Sequence, residues 1–226
     1  MNKYFTYIVY LVVFTWFSFA RAGVYEDFFR AIHGNDAKSA AYLVEVRGVD
    51  PNWPNDKGMP ALVLALYLES DAVAHYLAKA PGLKPELTNE AGETGLMIAA
   101  IRNRMDVAEA LIERGAEVNR PGWSPLHYAA TRGHVGMMRL LLENSAYIDA
   151  EAPNGNTPLM MAVQFASPAA VKLLLEEGAD PNIKNHQGLT ALDLAQRNSN
   201  PMVAQYVQIF LEAWYVNDLR DRGELN

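Results

Sequence analysis

The sequence predicts an all-α protein, an α-solenoid of about six stacked helix-turn-helix units joined by linking loops. A Gly-x-x-x-Leu-x-x-Ala frame recurs with its glycine at 58, 92, 122, 155 and 188, at spacings of 34, 30, 33 and 33 residues. Two columns in that frame never vary: Leu62, Leu96, Leu126, Leu159 and Leu192 form one, and Ala65, Ala99, Ala129, Ala162 and Ala195 the other. Leucine and alanine three apart lie on one helical face, and the alanine must be small where two helices pack closely. One helix pair cannot bury its own apolar face, so the copies must stack around a continuous core. The composition suits this, since the 226 residues are half apolar and a fifth charged, as in a soluble globular chain.

Taken in order, the first element stands apart from the rest. Lys3 is followed by an uncharged run from Tyr4 to Ala20, and Ala20-Arg21-Ala22 supplies small residues at the −3 and −1 positions. Residues 1–22 read as a secretory signal peptide cut after Ala22, with an uncleaved N-terminal anchor as the alternative. Either reading places the remainder outside the cytoplasm, because the positive end stays inside. The chain has no cysteine and no Asn-x-Ser/Thr sequon, which favours a bacterial periplasmic or secreted protein over one of a eukaryotic lumen. Without residues 1–22 it carries 17 basic against 26 acidic residues, a formal charge of −9. Such a chain repels a nucleic-acid backbone, and its acidic balance favours a basic partner.

Residues 23–211 form the repeat domain, opening with a degenerate unit, "FFRAIHGNDAKSAAYLVEVRGVDPN", in which Glu26-Asp27 replaces a linking loop. Ser124, Thr157 and Thr190 sit where the first helix of a unit needs an N-cap, and Pro125 and Pro158 follow at the first helical position. A second helix is read from Val135, Met138, Leu141 and Leu142, and from Pro168, Val171, Leu174 and Leu175. Gly115 and Gly178 stop that helix in the left-handed conformation, and Ser145 replaces the glycine in the fourth unit. The 30-residue spacing predicts a clipped loop before Trp123, short by about three residues, while the first two units each carry one extra residue, as in "AKAPGLKPE". Residues 212–226 are a C-terminal capping segment or tail. Past Asn200-Pro201 the last helix is expected to run through Trp214, with Trp214 and Tyr215 covering the open end of the stack.

The segments "GWSPLHYAATRGHVGMMRLLL", "GETGLMIAAIRNRMDVAEALIERGAEVN" and "GNTPLMMAVQFASPAAVKLLLEEGADPN" resemble ankyrin repeats, and the resemblance covers about Tyr25 to Phe210. Only the fourth unit keeps Pro-Leu-His. Val63, Met97, Met160 and Asp193 fill the histidine column elsewhere, so the histidine-centred bonds that the resemblance implies are expected at His127 alone.

Nothing in the sequence points to catalysis. Of His33, His75, His127, His134 and His186, the third and fourth occupy repeat positions and are expected to be structural. His-x-x-x-His pairs, nucleophile elbows, phosphate loops and dinucleotide fingerprints are absent. Glu176-Glu177 and the Asp218/Asp221 pair fall on solvated helix ends or the tail, and no metal or cofactor is expected.

What remains is a surface. In ankyrin-like stacks, positions after the signature glycine and after the alanine column line a concave face, and these are Met59, Glu93, Trp123, Asn156 and Leu189, then Tyr67, Arg102, Arg132, Phe165 and Arg197. Large aromatics and arginines there are what binding hot spots use. The candidates are Trp53, Tyr67, Arg102, Trp123, Arg132, Phe165 and Arg197, with Tyr67 and Phe165 open also to a buried role between repeats. The expected function is non-catalytic binding of another protein outside the cytoplasm, as an immunity protein or an enzyme-supporting factor. A host-directed effector and a hydrolytic enzyme are the alternatives.

Overall fold

The computed structural model describes residues 23–165, 167–198 and 201–222. Among them the chain forms six helix pairs and no extended strand. They divide into two compact units, one ending at Gly95 and the other starting at Leu96.

The first unit comprises α1 (23–33), α2 (Ala37–Glu45), α3 (Ala61–Tyr67) and α4 (Asp71–Lys79). Asp36 caps α2 by accepting the N–H groups of Lys38 and Ser39. Helix α3 reads ALVLALY and is buried from Ala61 to Leu66, enclosed rather than amphipathic. Asn35 adopts φ +51° in the turn after α1, and its side-chain oxygen accepts the N–H groups of Ala72 and Val73 at 2.9 and 3.2 Å. One asparagine thus serves both the turn of its own pair and the start of α4.

In the second unit, α5 (Gly95–Ile101), α7 (Pro125–Arg132), α9 (Pro158–Gln164) and α11 (Ala191–Arg197) are the first helices of their pairs. Their partners are α6 (Met105–Glu113), α8 (Val135–Glu143), α10 (Pro168–Glu176) and α12 (Pro201–Asp221). First helices stack on first helices, α7 on α9 and α9 on α11, while α6, α8 and α10 form the second row. The predicted caps are in place: Ser124 and His127 form a capping box, Thr157 accepts the Met160 N–H, and Thr190 pairs with Asp193. Gly115, Ser145 and Gly178 take φ of +82°, +65° and +95° after the second helices.

All five residues of the alanine column and Leu62, Leu96, Leu126 and Leu159 of the leucine column are buried. Leu192 is half-buried, because no further first helix stacks on α11 among the described residues.

The end of the stack is covered differently from the expectation. Helix α12 packs on α10 and α11 through Val203 and Val207, both fully buried, whereas Tyr215 is exposed. The valines lie four apart near the start of α12 and so reach the core, whereas Tyr215 stands two turns further along the helix, where it borders an open pocket with Asn182, Leu211 and Glu212. The Trp214 side chain lies outside what the structure describes, as do residues 1–22 of the expected export signal. No helix among the described residues is long and apolar enough to cross a membrane.

Candidate functional site

The surface is built from two edges of the helix pairs: the linking loops that precede the first helices, and the turns that follow them. Four loops share one backbone pattern, with Asn55, Asn89, Ala152 and Asn185 donating to the carbonyls of Met59, Glu93, Asn156 and Leu189. In three of them the asparagine side chain accepts two further N–H groups, as Asn55 does from Lys57 and Met59 at 2.9 Å each. Sequence reasoning missed this asparagine column, although its signal is a residue type recurring three positions before the signature glycine.

The loop before Trp123 is clipped as predicted, and Asn119 shows where. Asn119 donates to the Ser145 carbonyl and accepts the Tyr147 N–H, both at 2.7 Å. Asn52 makes the same pair of bonds, to the Gly82 carbonyl and the Lys84 N–H at 2.8 Å each. Asn52 stands six residues before Gly58, but Asn119 only three before Gly122, so three of the five residues between Asn52 and Gly58 have no counterpart there.

The other edge brings four of the predicted residues into line within the second unit. His134 Nε2 bonds the Ile101 carbonyl at 3.0 Å, which sets the turn after α7 beside the end of α5. A Cβ on Gly133 would strike the Ser167 hydroxyl, so the turns after α7 and α9 touch. Asn198 Nδ2 donates to the Gln164 carbonyl at 3.1 Å, joining the turn after α11 to the end of α9. Arg102, Arg132, Phe165 and Arg197 therefore occupy successive rungs of one edge, with helix axes about 8–10 Å apart, and all four are exposed. Phe165 keeps 57% of its surface open, so it is not an inter-repeat core residue.

Trp123 does not join them. It lies at the start of the eight-residue α7 and Arg132 at its end, about 12 Å along the axis, so the two are not neighbours. Its indole is half-buried and meets the His127 ring edge-on, with centroids 5.5 Å apart. Trp53 also has a packing duty, meeting the Tyr25 ring at a tilt of 43° with centroids 5.7 Å apart, while the Tyr25 hydroxyl donates to the Pro54 carbonyl. Tyr67, at the end of α3, is 37% exposed and donates to the Glu93 carboxylate, which also accepts from Asn89 at 2.7 Å. Asn156 is buried, held by the Asn185 side chain at 2.9 Å, so it belongs to the scaffold rather than to an open face.

The histidine chemistry is structural. The Ser124 N–H donates to His127 Nδ1 at 3.2 Å, which leaves the Nε2 proton for the Asn156 carbonyl at 3.0 Å. Burial pushes the His127 pKa down, against the pull of the backbone carbonyls toward the charged form. Among the described residues no group of three or more His, Asp or Glu is arranged to hold a metal ion.

A family model described as Ankyrin repeats (3 copies) matches residues 81–152, 119–185 and 146–213, which together span more than half of the chain. The neurogenic locus notch homolog protein 1 of Xenopus tropicalis is 34% identical over 139 residues, 58% of this chain and 6% of that protein. Its Danio rerio counterpart is 36% identical over 117 residues, 50% of this chain and 5% of that protein. An ankyrin repeat domain from Acinetobacter baumannii AYE superposes with a TM-score of 0.71 at 21% identity, covering 81% of this chain and 96% of that one. The chain spans a small fraction of its curated relatives' length, and the bacterial structure is a likeness of fold.

Proposed function

Because this chain belongs to the ankyrin-repeat family, we propose that it is a non-catalytic binding protein that acts outside the cytoplasm and holds a protein partner along the helix-end edge of its second unit. Ankyrin repeats are a protein-interaction module, and the helical core here leaves its variable side chains to the edges. The observation that carries the reading is the alignment of Arg102, Arg132, Phe165 and Arg197 on stacked turns, at positions the core does not require. Export is supported by the uncharged run behind Lys3 and the small residues before Gly23. Neutralising a toxic effector as an immunity protein and supporting an exported enzyme are the roles that fit that compartment.

The test is capture of the partner from the envelope fraction by the full chain. The Phe165→Ala variant should lose about 2 kcal/mol or more of binding with an unchanged melting midpoint. Trp123→Ala, which lies off this edge, is expected to lower the midpoint, because it strips the ring packed on His127, and to leave binding by the folded protein unchanged. Undiminished capture by Phe165→Ala would remove this edge from the reading. A reporter active only after export, fused behind residues 1–30, should give signal, and activity confined to the cytoplasm would sink the export claim.

A further inference from the structure

The formal charge of −7 favours a basic partner for the chain as a whole, but the charges of the second unit are not evenly spread. Of the exposed glutamates on its second-row helices, Glu113, Glu143, Glu176 and Glu177 stand at the C-terminal ends of α6, α8 and α10 or just beyond, while Glu109 lies midway along α6. These are nine-residue helices, and short turns fold them back on α5, α7 and α9, so the helix-end glutamates lie about 13 Å from the turns that carry the arginines. That distance exceeds the screening length of about 8 Å at physiological salt, and α8 and α10 carry no acid closer to the turns, so Arg132 and Arg197 set the local field there.

Of the acids near the row, Asp106 lies 3.5 Å from Arg104, and Asp193, one turn before Arg197 on α11, bonds the N–H and hydroxyl of Thr190. The N-termini of α8 and α10, whose N-caps His134 and Ser167 make no side-chain capping bond, lie on the same edge and add to its positive potential. The edge is thus a positive strip on an acidic protein, with the apolar ring of Phe165 set between Arg132 and Arg197.

We infer that this strip receives an acidic segment of the partner protein that also presents an apolar or aromatic side chain to Phe165, an inference that rests on the protein-binding reading above. The arginines would take carboxylates in forked, charge-assisted hydrogen bonds, and rungs about 8–10 Å apart match every third residue of an extended chain. An extended polyanion suits the molecule less, because the chain as a whole carries a formal charge of −7.

Two measurements on the full chain test this. In the first, fluorescein-labelled peptides of repeating Asp-Glu-Phe and Lys-Lys-Phe, and a short poly-dT, are titrated by anisotropy. The acidic peptide should bind, weaken with added salt, and lose at least about tenfold in affinity in Arg132→Glu/Arg197→Glu. Absence of acidic-peptide binding, indifference to the double reversal, or equal binding of the basic peptide or poly-dT would overturn the inference. In the second, a photo-crosslinking side chain replaces Phe165 and the segment captured from the envelope fraction is sequenced. An acidic segment supports the inference; a neutral or basic one overturns it while leaving the protein-binding reading intact. Capture of a partner only from sites off this edge would overturn both.

Discussion

Asp149 puts a carboxylate where Asn52 and Asn119 put an amide. Each amide accepts an N–H and donates to a carbonyl two residues earlier, whereas the carboxylate accepts only, from the Asp180 N–H at 3.1 Å. Burial pushes the Asp149 pKa up, and the nearby Asp180 charge pushes it further. With the folded value above the unfolded one near 4, folding favours the protonated form, so this contribution is complete below about pH 4 and is lost as pH rises through the folded value. Asp149→Asn is expected to stabilise the protein at pH 7 by about 0.5–1.5 kcal/mol and to remove that pH dependence. Denaturant titrations of both proteins at pH 4 and 7 check the sign, and a variant weaker than wild type at pH 7 contradicts it. Ser145 is a second local conflict, because it holds φ +65° where Gly115 and Gly178 stand after the neighbouring second helices. Ser145→Gly should raise stability by about 1 kcal/mol, read as a higher denaturant midpoint.

At the scale of a helix, α7 depends on its first turn and on its leucine. His127 completes the capping box neutral, and its folded pKa lies below the unfolded value. Its contribution is therefore constant above about pH 6.5 and falls as the pH drops from there toward the folded value, because the unfolded chain takes up the proton first. Met97 and Met160 fill this column in the flanking units, so His127→Met keeps the packing and loses the bonds. It should cost about 1–2 kcal/mol at pH 7.5, and the gap from wild type should narrow by pH 5.5; a gap that widens would mean that the charged imidazole is the stabilising form. Leu126 is fully buried, and Leu126→Ala should cost about 2–5 kcal/mol; an unchanged unfolding midpoint would mean that the leucine column does not form the core.

For the whole molecule, the division into two compact units localises that damage. Each unit has its own core, with Phe28, Ile32 and Leu77 in the first and Leu111, Leu126 and Leu159 in the second. Repeat stability is carried by nearest-neighbour contacts. In Leu126→Ala, hydrogen exchange should therefore quicken at the amides of α7 to α10 before it changes at those of α3 and α4. Equal acceleration throughout would show a single cooperative block.

The helix pairs, their caps and their stops were legible in the sequence because they follow from local rules. Thr157 and Pro158 start a helix, Gly178 ends one, and leucine and alanine three apart share a face wherever the helix lies. The family frame could likewise be read directly, down to the three residues missing before Gly122. The roles of Asn156, Asn185 and Asp149 could not, because their partners lie about 30 residues away and come into reach only when the copies stack. Stacking also aligned Arg102, Arg132, Phe165 and Arg197. A residue's place in its own helix is fixed by local periodicity, but what stands beside it belongs to the neighbouring repeat. The pattern along the chain therefore specified the scaffold, and the contacts between copies selected which side chains form a common surface.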